Sequence, residues 1–361
     1  MDAARRAPTI SDVARHAGVS KGLVSFALNG RPGVAERTRE RILASARELG
    51  WSPSLRGRAL STGRSFACGL VIGRSSDVIA ADPFFHSFIA GIEDELAAAR
   101  QVLVLAVATP GREEADTYRD LAADGRVDGV ILTDLRSADP RIALVAGLGL
   151  SAVTLGVPDT ASPFPSVSVD DGVGVRRAVA HLVALGHRRI AHVAGPDGML
   201  HAARRRDAFL AAAAAAGVAA TVIATDFSAG DGARATAALL GLGMGGPARA
   251  AVAVAPDAPT AIVYANDHMA VAGIGAAQRL GLRVPEDLSV TGFDDTELGR
   301  HIHPALTTVS TDAREWGAVA ARTLLASVDG ADPVHVVLPE PTLTVRGSTG
   351  PAPRHRGGIR G

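Results

Sequence analysis

Lys21 is the only lysine in a chain of 361 residues; all the other basic side chains are arginine. It stands in the stretch Gly18-Val-Ser-Lys-Gly-Leu-Val-Ser-Phe-Ala-Leu-Asn-Gly30, between Ser20 and Gly22. An ammonium in the first turn of a short helix can donate to guanine O6 and N7 if that helix enters a major groove. The alternative is a phosphate contact, which carries no sequence information; the position in the motif favours the base. Gly22 costs about 1 kcal/mol of helix propensity relative to Ala, but its missing side chain lets backbone approach a groove. Phe26, about one turn on, donates nothing. It either packs on a thymine methyl or turns inward as core. Ser20, Ser25, Asn29 and Thr38 are candidate phosphate contacts, and Arg31 and Arg37 would add salt-sensitive affinity. A second set of polar residues is spread along the later chain. Asp82, Thr133, Asp134, Asp170, Asp267 and Asp294 are carboxylates and a hydroxyl, and Phe85 is an aromatic face. Carboxylates accept from hydroxyls and an aromatic ring stacks on an apolar face. Asp82 alone reads first as a helix cap, and Asp294 has capping of the next segment as its plain alternative.

The elements that must position these residues fall into two patterns. Over the first sixty residues the signals are those of short helices. Thr9-x-x-Asp12 has the form of a capping box, Ile10, Val13, Ala14 and Ala17 follow at helical spacing, and Gly18 permits a sharp turn. Ser20 caps a second helix with Val24 and Leu28 inward. A third runs from about Glu36 to Leu49, with Ile42, Leu43, Ala46 and Leu49 inward. Helix, glycine turn, helix is the shape of a helix-turn-helix. From Phe66 onward short apolar runs alternate with helical stretches. The expected strands are 67–72, 102–107, 130–132, 152–155, 190–194, 261–264 and 288–291; the expected helices include 85–100, 172–185, 203–216 and 269–280. Such alternation implies parallel sheets covered on both faces, and its length implies two α/β lobes. Ligands of such lobes sit at the carboxyl ends of strands, in the crevice between them. The expected organisation is a helix-turn-helix domain over 1–52, a hinge over 53–65, a two-lobed body over 66–346 and a disordered Gly/Pro/Arg-rich tail over 347–361.

Charge supports a division of labour. The net charge is zero. Yet residues 1–64 hold 12 Lys+Arg against 5 Asp+Glu, and the remaining 297 hold 25 against 32. A basic head on an acidic body points to a polyanion partner for the head. The single cysteine, Cys68, excludes an internal disulfide and a multi-cysteine zinc site. No apolar run reaches signal-peptide or membrane-span length, so the expected location is the cytoplasm, with no membrane partner.

These residues resemble the LacI/GalR family of bacterial transcriptional regulators. "TISDVARHAGVSKGLVSFALNG" is similar to its DNA-binding signature and "TRERILASARELGWSPSLRGRALSTG" to its third helix and hinge. "DPFF", "RVDGVIL", "SVDD", "HLVALGHRRIAHVAG", "ANDHMA", "GLRVPEDLSVTGFDD" and "PALTTV" follow in order. The resemblance spans about residues 8–348. It implies a periplasmic-binding-protein-like body, a homodimer on a pseudo-palindromic operator in double-stranded DNA, and control by a small-molecule effector in the inter-lobe cleft. It also implies a repressor more than an activator. Leu60 matches the hinge leucine that wedges between base pairs, a step that costs a few kcal/mol and is recovered through bending; Arg56 and Arg58 would meet phosphates or the minor-groove floor. Arg205 matches an effector-gripping arginine, and Phe227 the aromatic that lies against the ligand. Carboxylates, an arginine and flanking aromatics are the inventory of a sugar site and would also suit a nucleoside; the reading leans to a sugar or derivative. The chain departs from the pattern at Leu23 and Phe26, where Thr and Arg are usual, at Ala35, where a capping Ser or Thr is usual, and in two longer segments, 74–85 and 246–259. The sign of effector coupling, the operator sequence and tetramer formation are not legible.

Two rivals are weighed against this. A solute-binding protein would share both lobes but not the basic helical head. A nucleotide-dependent enzyme would need more than "GLGMGG" at 241–246, which follows a helical run rather than a strand. No His-Glu-x-x-His, P-loop or Gly-x-Ser-x-Gly elbow at the end of a strand is present, so the reading includes no enzyme activity, catalytic residue, metal or cofactor.

Overall fold

The computed structural model describes residues 8–28, 32–51, 62–74, 79, 82–107, 113–241, 255 and 257–354. The chain divides into two compact units, Met1–Phe66 and Ala67–Gly361.

The first unit is a three-helix head: α1 (Ile10–Ala17), α2 (Lys21–Leu28) and α3 (Glu36–Glu48). At the start of α1 the Thr9 N–H and hydroxyl both donate to the Asp12 carboxylate, at 2.9 and 2.7 Å. Gly18 ends α1 at φ +64°, a left-handed conformation that costs glycine little. Ser20 Oγ then accepts from Leu23 N–H and opens α2. The cap of α3 is Ala35, which supplies no side-chain bond. Val13, Ala14, Ala17, Val24, Ala27, Ile42 and Ala46 form the core of the head. Leu43, expected inward, is exposed: the stripe of α3 runs through Ile42, Ser45, Ala46 and Leu49, and Leu43 lies about 100° off Ile42.

In the second unit the order is β1 (Ala67–Ile72), α4 (Pro83–Ala98), β2 (Val102–Val107), α5 (Glu114–Ala123), β3 (Gly129–Leu132), α6 (Pro140–Gly147), β4 (Ser151–Leu155), β5 (Ser166–Ser168), α7 (Asp171–Ala184), β6 (Arg189–Ala194), α8 (Leu200–Ala215) and β7 (Ala219–Ala224). It continues with α9 (Ala229–Leu239), β8 (Ala261–Tyr264), α10 (Asp267–Arg279), β9 (Ser289–Phe293), α11 (Glu297–His301), β10 (Thr307–Ser310), α12 (Ala313–Val328), β11 (His335–Val337) and β12 (Thr342–Thr344). Two six-stranded sheets result, β11-β5-β4-β3-β1-β2 and β12-β10-β9-β8-β6-β7. All pairings are parallel except that of β12 with β10. The interior strands β1, β3, β8 and β9 are buried along their whole length, as a sheet covered on both faces requires. The chain passes between lobes three times, after β5, β10 and β11, so that α12 and β11 complete the first lobe.

The expected disordered tail is corrected over Gly347–Arg354. Ser348 is buried; its hydroxyl donates to Val290 O and accepts from Thr307 N–H. Gly350 N–H donates to Ser289 Oγ, and Ala352 N–H to Leu185 O. Composition suggests a solvated segment, but these groups satisfy polar atoms at the margin of the second lobe that would otherwise be orphaned. Residues 355–361 lie outside the described residues.

Candidate functional site

On the head, α2 presents Lys21 and Gly22 to solvent just after exposed Ser20, and Ser25 is half-buried. Phe26 is 42% exposed. This decides one alternative: the core takes Val24 and Ala27 from α2, and Phe26 lies outside it. Thr38 is half-buried and Arg37 exposed in the first turn of α3. Asn29, Arg31, Arg56, Arg58 and Leu60 lie outside the described residues.

In the body, strand ends converge on a cleft that opens to solvent and is lined by residues of both lobes, a place where small-molecule sites form. Three lining residues follow strands in the left-handed region: Asp134 at φ +51°, Phe227 at +70° and Asp294 at +112°. Such conformations cost about 1–3 kcal/mol each away from glycine and collect at binding sites.

Asp134 follows β3. Its carboxylate accepts from Arg74 Nε at 2.6 Å and from Nη2 at 2.5 Å. Burial alone would push this carboxyl up, but the charge and hydrogen bonds of Arg74 outweigh it and hold it down to about 2. Asp82 caps α4, accepting from Phe84 N–H, and meets Arg74 Nη1 only at 3.5 Å. Burial raises its carboxyl, and Arg74 only partly offsets this. The Arg74 guanidinium also lies over two rings, 5.1 Å from the Phe85 centroid and 4.7 Å from that of Phe227. Phe85 and Phe227 are buried, at 1% and 2% exposure, and both line the cleft beneath Arg74. The other face of Phe227 stacks on His201 at 5.4 Å, and its ring fits only because residue 195 is glycine: a Cβ there would collide with it. Burial keeps the His201 imidazole neutral, its pKa down to about 3.

Behind the cleft, buried Arg141 donates to the carbonyls of Thr133 and Asp134 at 2.9 and 3.0 Å while paired with Asp139 and Glu114. It fixes the loop that carries both site residues. The Thr133 hydroxyl is buried and has no partner among the described residues.

From the second lobe, Arg205 on α8 donates to Ala265 O at 2.7 Å and to Asp171 Oδ1 at 3.1 Å, with its guanidinium carbon 3.7 Å from the centre of the Phe293 ring. Its Nε is buried without a hydrogen-bond partner among the described residues. Asp294 completes the set: its carboxyl accepts no hydrogen bond among the described residues, and burial drives it well above the ordinary range against the opposing charge of Arg205.

Two expected carboxylates are displaced. Asp170 caps α7 through Gly172 N–H and pairs with Arg176 away from the cleft; Asp171, one residue into the helix, lines the cleft. Asp267 is fully buried and turned inward, accepting from Thr296 N–H, Thr296 Oγ1 and Thr308 Oγ1. Burial pushes its carboxyl up to about 6 despite those bonds. Asp267 thus braces the turn that carries Asp294, while Asn266, held by Met269 N–H and bonded to Phe227 O, faces the cleft. Arg74 was not expected. Its one signal in the sequence is an arginine just past a wholly apolar strand, where α/β ligand groups gather.

A small three-helix head followed by a two-lobed, parallel-sheet body around a polar cleft is the architecture of a DNA-binding regulator. Residues 9–54 match the model described as bacterial regulatory proteins, lacI family, and residues 179–349 the periplasmic binding protein-like domain. The chain is 36% identical to the HTH-type transcriptional regulator reg1 of Streptomyces lividans, covering 96% of this chain and 98% of that one. It is 33% identical to the HTH-type transcriptional regulator CelR of Thermobifida fusca, covering 95% and 99%. Among solved structures it is similar to a CelR–cellobiose complex (TM-score 0.70, 32% identity, 94% and 99% covered). It is also similar to the lac repressor dimer bound to operator and the anti-inducer ONPF (TM-score 0.77, 29% identity, 96% and 100% covered). The chain belongs to the LacI family of bacterial transcriptional regulators. It is a DNA-binding regulator of transcription. No helix among the described residues is long and apolar enough to cross a membrane.

Proposed function

We propose that this chain is a repressor that binds a pseudo-palindromic operator as a homodimer in the cytoplasm and is controlled by a sugar in the inter-lobe cleft. The observation that carries the ligand reading is a set of unsatisfied polar groups in one cleft: the Thr133 hydroxyl, the Arg205 Nε–H and the Asp294 carboxyl. Donors and an acceptor in that arrangement suit vicinal hydroxyls. The cellobiose bound to CelR supports a sugar. On the head, Lys21 is the base-reading cation and Phe26 the apolar reader, with Ser20, Ser25 and Thr38 on phosphates.

Ligand can act only through its different affinity for the operator-competent and incompetent states. Couplings of this kind are typically about 1–3 kcal/mol. The test is selection of genomic fragments by full-length protein, then operator titration with cellobiose, maltose and nucleosides. One sugar should shift operator affinity by about 5- to 150-fold, Arg205→Ala should abolish that shift, and Lys21→Ala should relax preference at one operator position. Equal weakening of all sequences by Lys21→Ala would remove the base contact, and an intact response in Arg205→Ala would remove the cleft assignment.

A further inference from the structure

Arg74 contributes a group to the cleft that a hydroxyl-binding site does not need. Its guanidinium sits between two aromatic faces and two carboxylates, with its side chain 10% exposed. Aromatic faces and carboxylates around one point are the recognition chemistry of an organic cation. The box is assembled from both lobes: Asp82 is the N-cap of α4 and Phe85 lies in its first turn, Asp134 comes from the loop after β3, and Phe227 from the loop after β7.

Each wall is also held by partners other than Arg74, Phe85 by the first-lobe core. Asp82 accepts from Phe84 N–H. The Asp134 backbone is held by Arg141. Phe227 is held by the His201 stack, by Asn266 on its carbonyl and by the space at Gly195. Asp82, Asp134 and Phe227 therefore have anchors that do not depend on the cation between them.

We propose that Arg74 is the specificity determinant of the cleft: it fills, from within the chain, a site built for an organic cation, and so reserves the remaining space for uncharged ligands. Expelling the guanidinium would leave two buried carboxylates unpaired, at a penalty that hydroxyl groups do not offset. An amino sugar or alkylguanidinium meets a box whose cation position is already filled, whereas a neutral polyol uses Thr133, Arg205 and Asp294 beside it. The inference rests on the cleft being the ligand site but not on the ligand being a sugar, so its test does not use the natural effector.

The experiment takes full-length protein, Arg74→Ala, and Arg74→Ala combined with Asp134→Asn. Each is titrated calorimetrically with methylguanidinium chloride against sodium chloride at equal ionic strength. Arg74→Ala should bind methylguanidinium saturably at one site. The unsubstituted protein should not bind it, and the double variant should bind about tenfold more weakly or not at all. Binding by Arg74→Ala no stronger than by the unsubstituted protein overturns the proposal, as does affinity indifferent to Asp134→Asn. If Arg74→Ala is too unstable to titrate, its refolding yield from urea gives the same decision: recovery with millimolar methylguanidinium supports the proposal, and no recovery overturns it. A natural effector that proved to be a nucleoside would leave every one of these outcomes unchanged.

Discussion

Asp134→Asn tests the electrostatic centre of the cleft. The substitution keeps the size of the side chain and removes its charge. Arg74 holds the native carboxyl at about 2, against an ordinary value of 3.8. At 1.36 kcal/mol per pKa unit that difference corresponds to about 2 kcal/mol. The sign follows from linkage: the folded state binds the proton less readily, so the stabilisation is complete above the unfolded value of 3.8 and is lost as pH falls toward 2. The substitution also leaves the guanidinium, 10% exposed, with only Asp82 at 3.5 Å, and breaking a buried pair from one side typically costs about 3–5 kcal/mol. We expect Asp134→Asn to lose about 3 kcal/mol at neutral pH in urea unfolding of the full chain, by the lower end of that range. Arg74→Met removes the stranded cation, so the double variant should lose less than the sum of the singles, with a coupling of about 2 kcal/mol. A single-variant loss below about 1 kcal/mol, the scale of an exposed pair, would refute the reasoning. So would additivity in the cycle.

If Phe26 packs on a thymine methyl, replacing that thymine by deoxyuridine should weaken operator binding by about 0.8 kcal/mol, one buried methyl's worth. The effect should vanish in Phe26→Ala, and uracil tolerated at every operator position would contradict it. His192 is fully buried, with Nδ1 on Val263 O and Nε2 unpartnered, and burial holds its pKa down to about 4. The unfolded chain takes the proton first, so stability falls as pH drops below 6.5 toward 4. His192 should account for about 2 kcal/mol of loss between pH 7 and pH 5; His192→Gln should lack that share, and equal slopes for the two proteins would sink the assignment. Gly195→Ala places a methyl against the Phe227 ring and should destabilise by about 1–3 kcal/mol, the usual penalty of overpacking. An unchanged melting temperature would mean the ring has room to move.

What could be read from the sequence follows physical signal strength. The head is announced by local rules: Thr9 with Asp12, Gly18 and Ser20 each act within a few residues. Strands such as β1 and β8 are continuous apolar runs and stand out. By contrast β5, β10, β11 and β12 are three or four residues long and three of them are rich in Ser or Thr; only pairing with distant strands makes them strands. The Ala-rich β7 follows an Ala-rich helix with no change of composition to mark it. The site residues failed by single positions. Asp170 and Asp171, or Asn266 and Asp267, are equivalent by type, and what separates them is rotation about a helix start, which spacing alone does not fix. Arg74 stayed hidden because its closest carboxylate partner, Asp134, is sixty positions away in sequence.

The interleaving of the two lobes sets an order on biosynthesis. The head closes its core with residues up to Trp51, whereas the first sheet lacks its last strand until His335–Val337 has been made, and the second until Thr342–Thr344. A ribosome therefore exposes a finished three-helix head long before either lobe of the body can mature. A message cut short within the body would encode that head beside sheets that lack their closing strands.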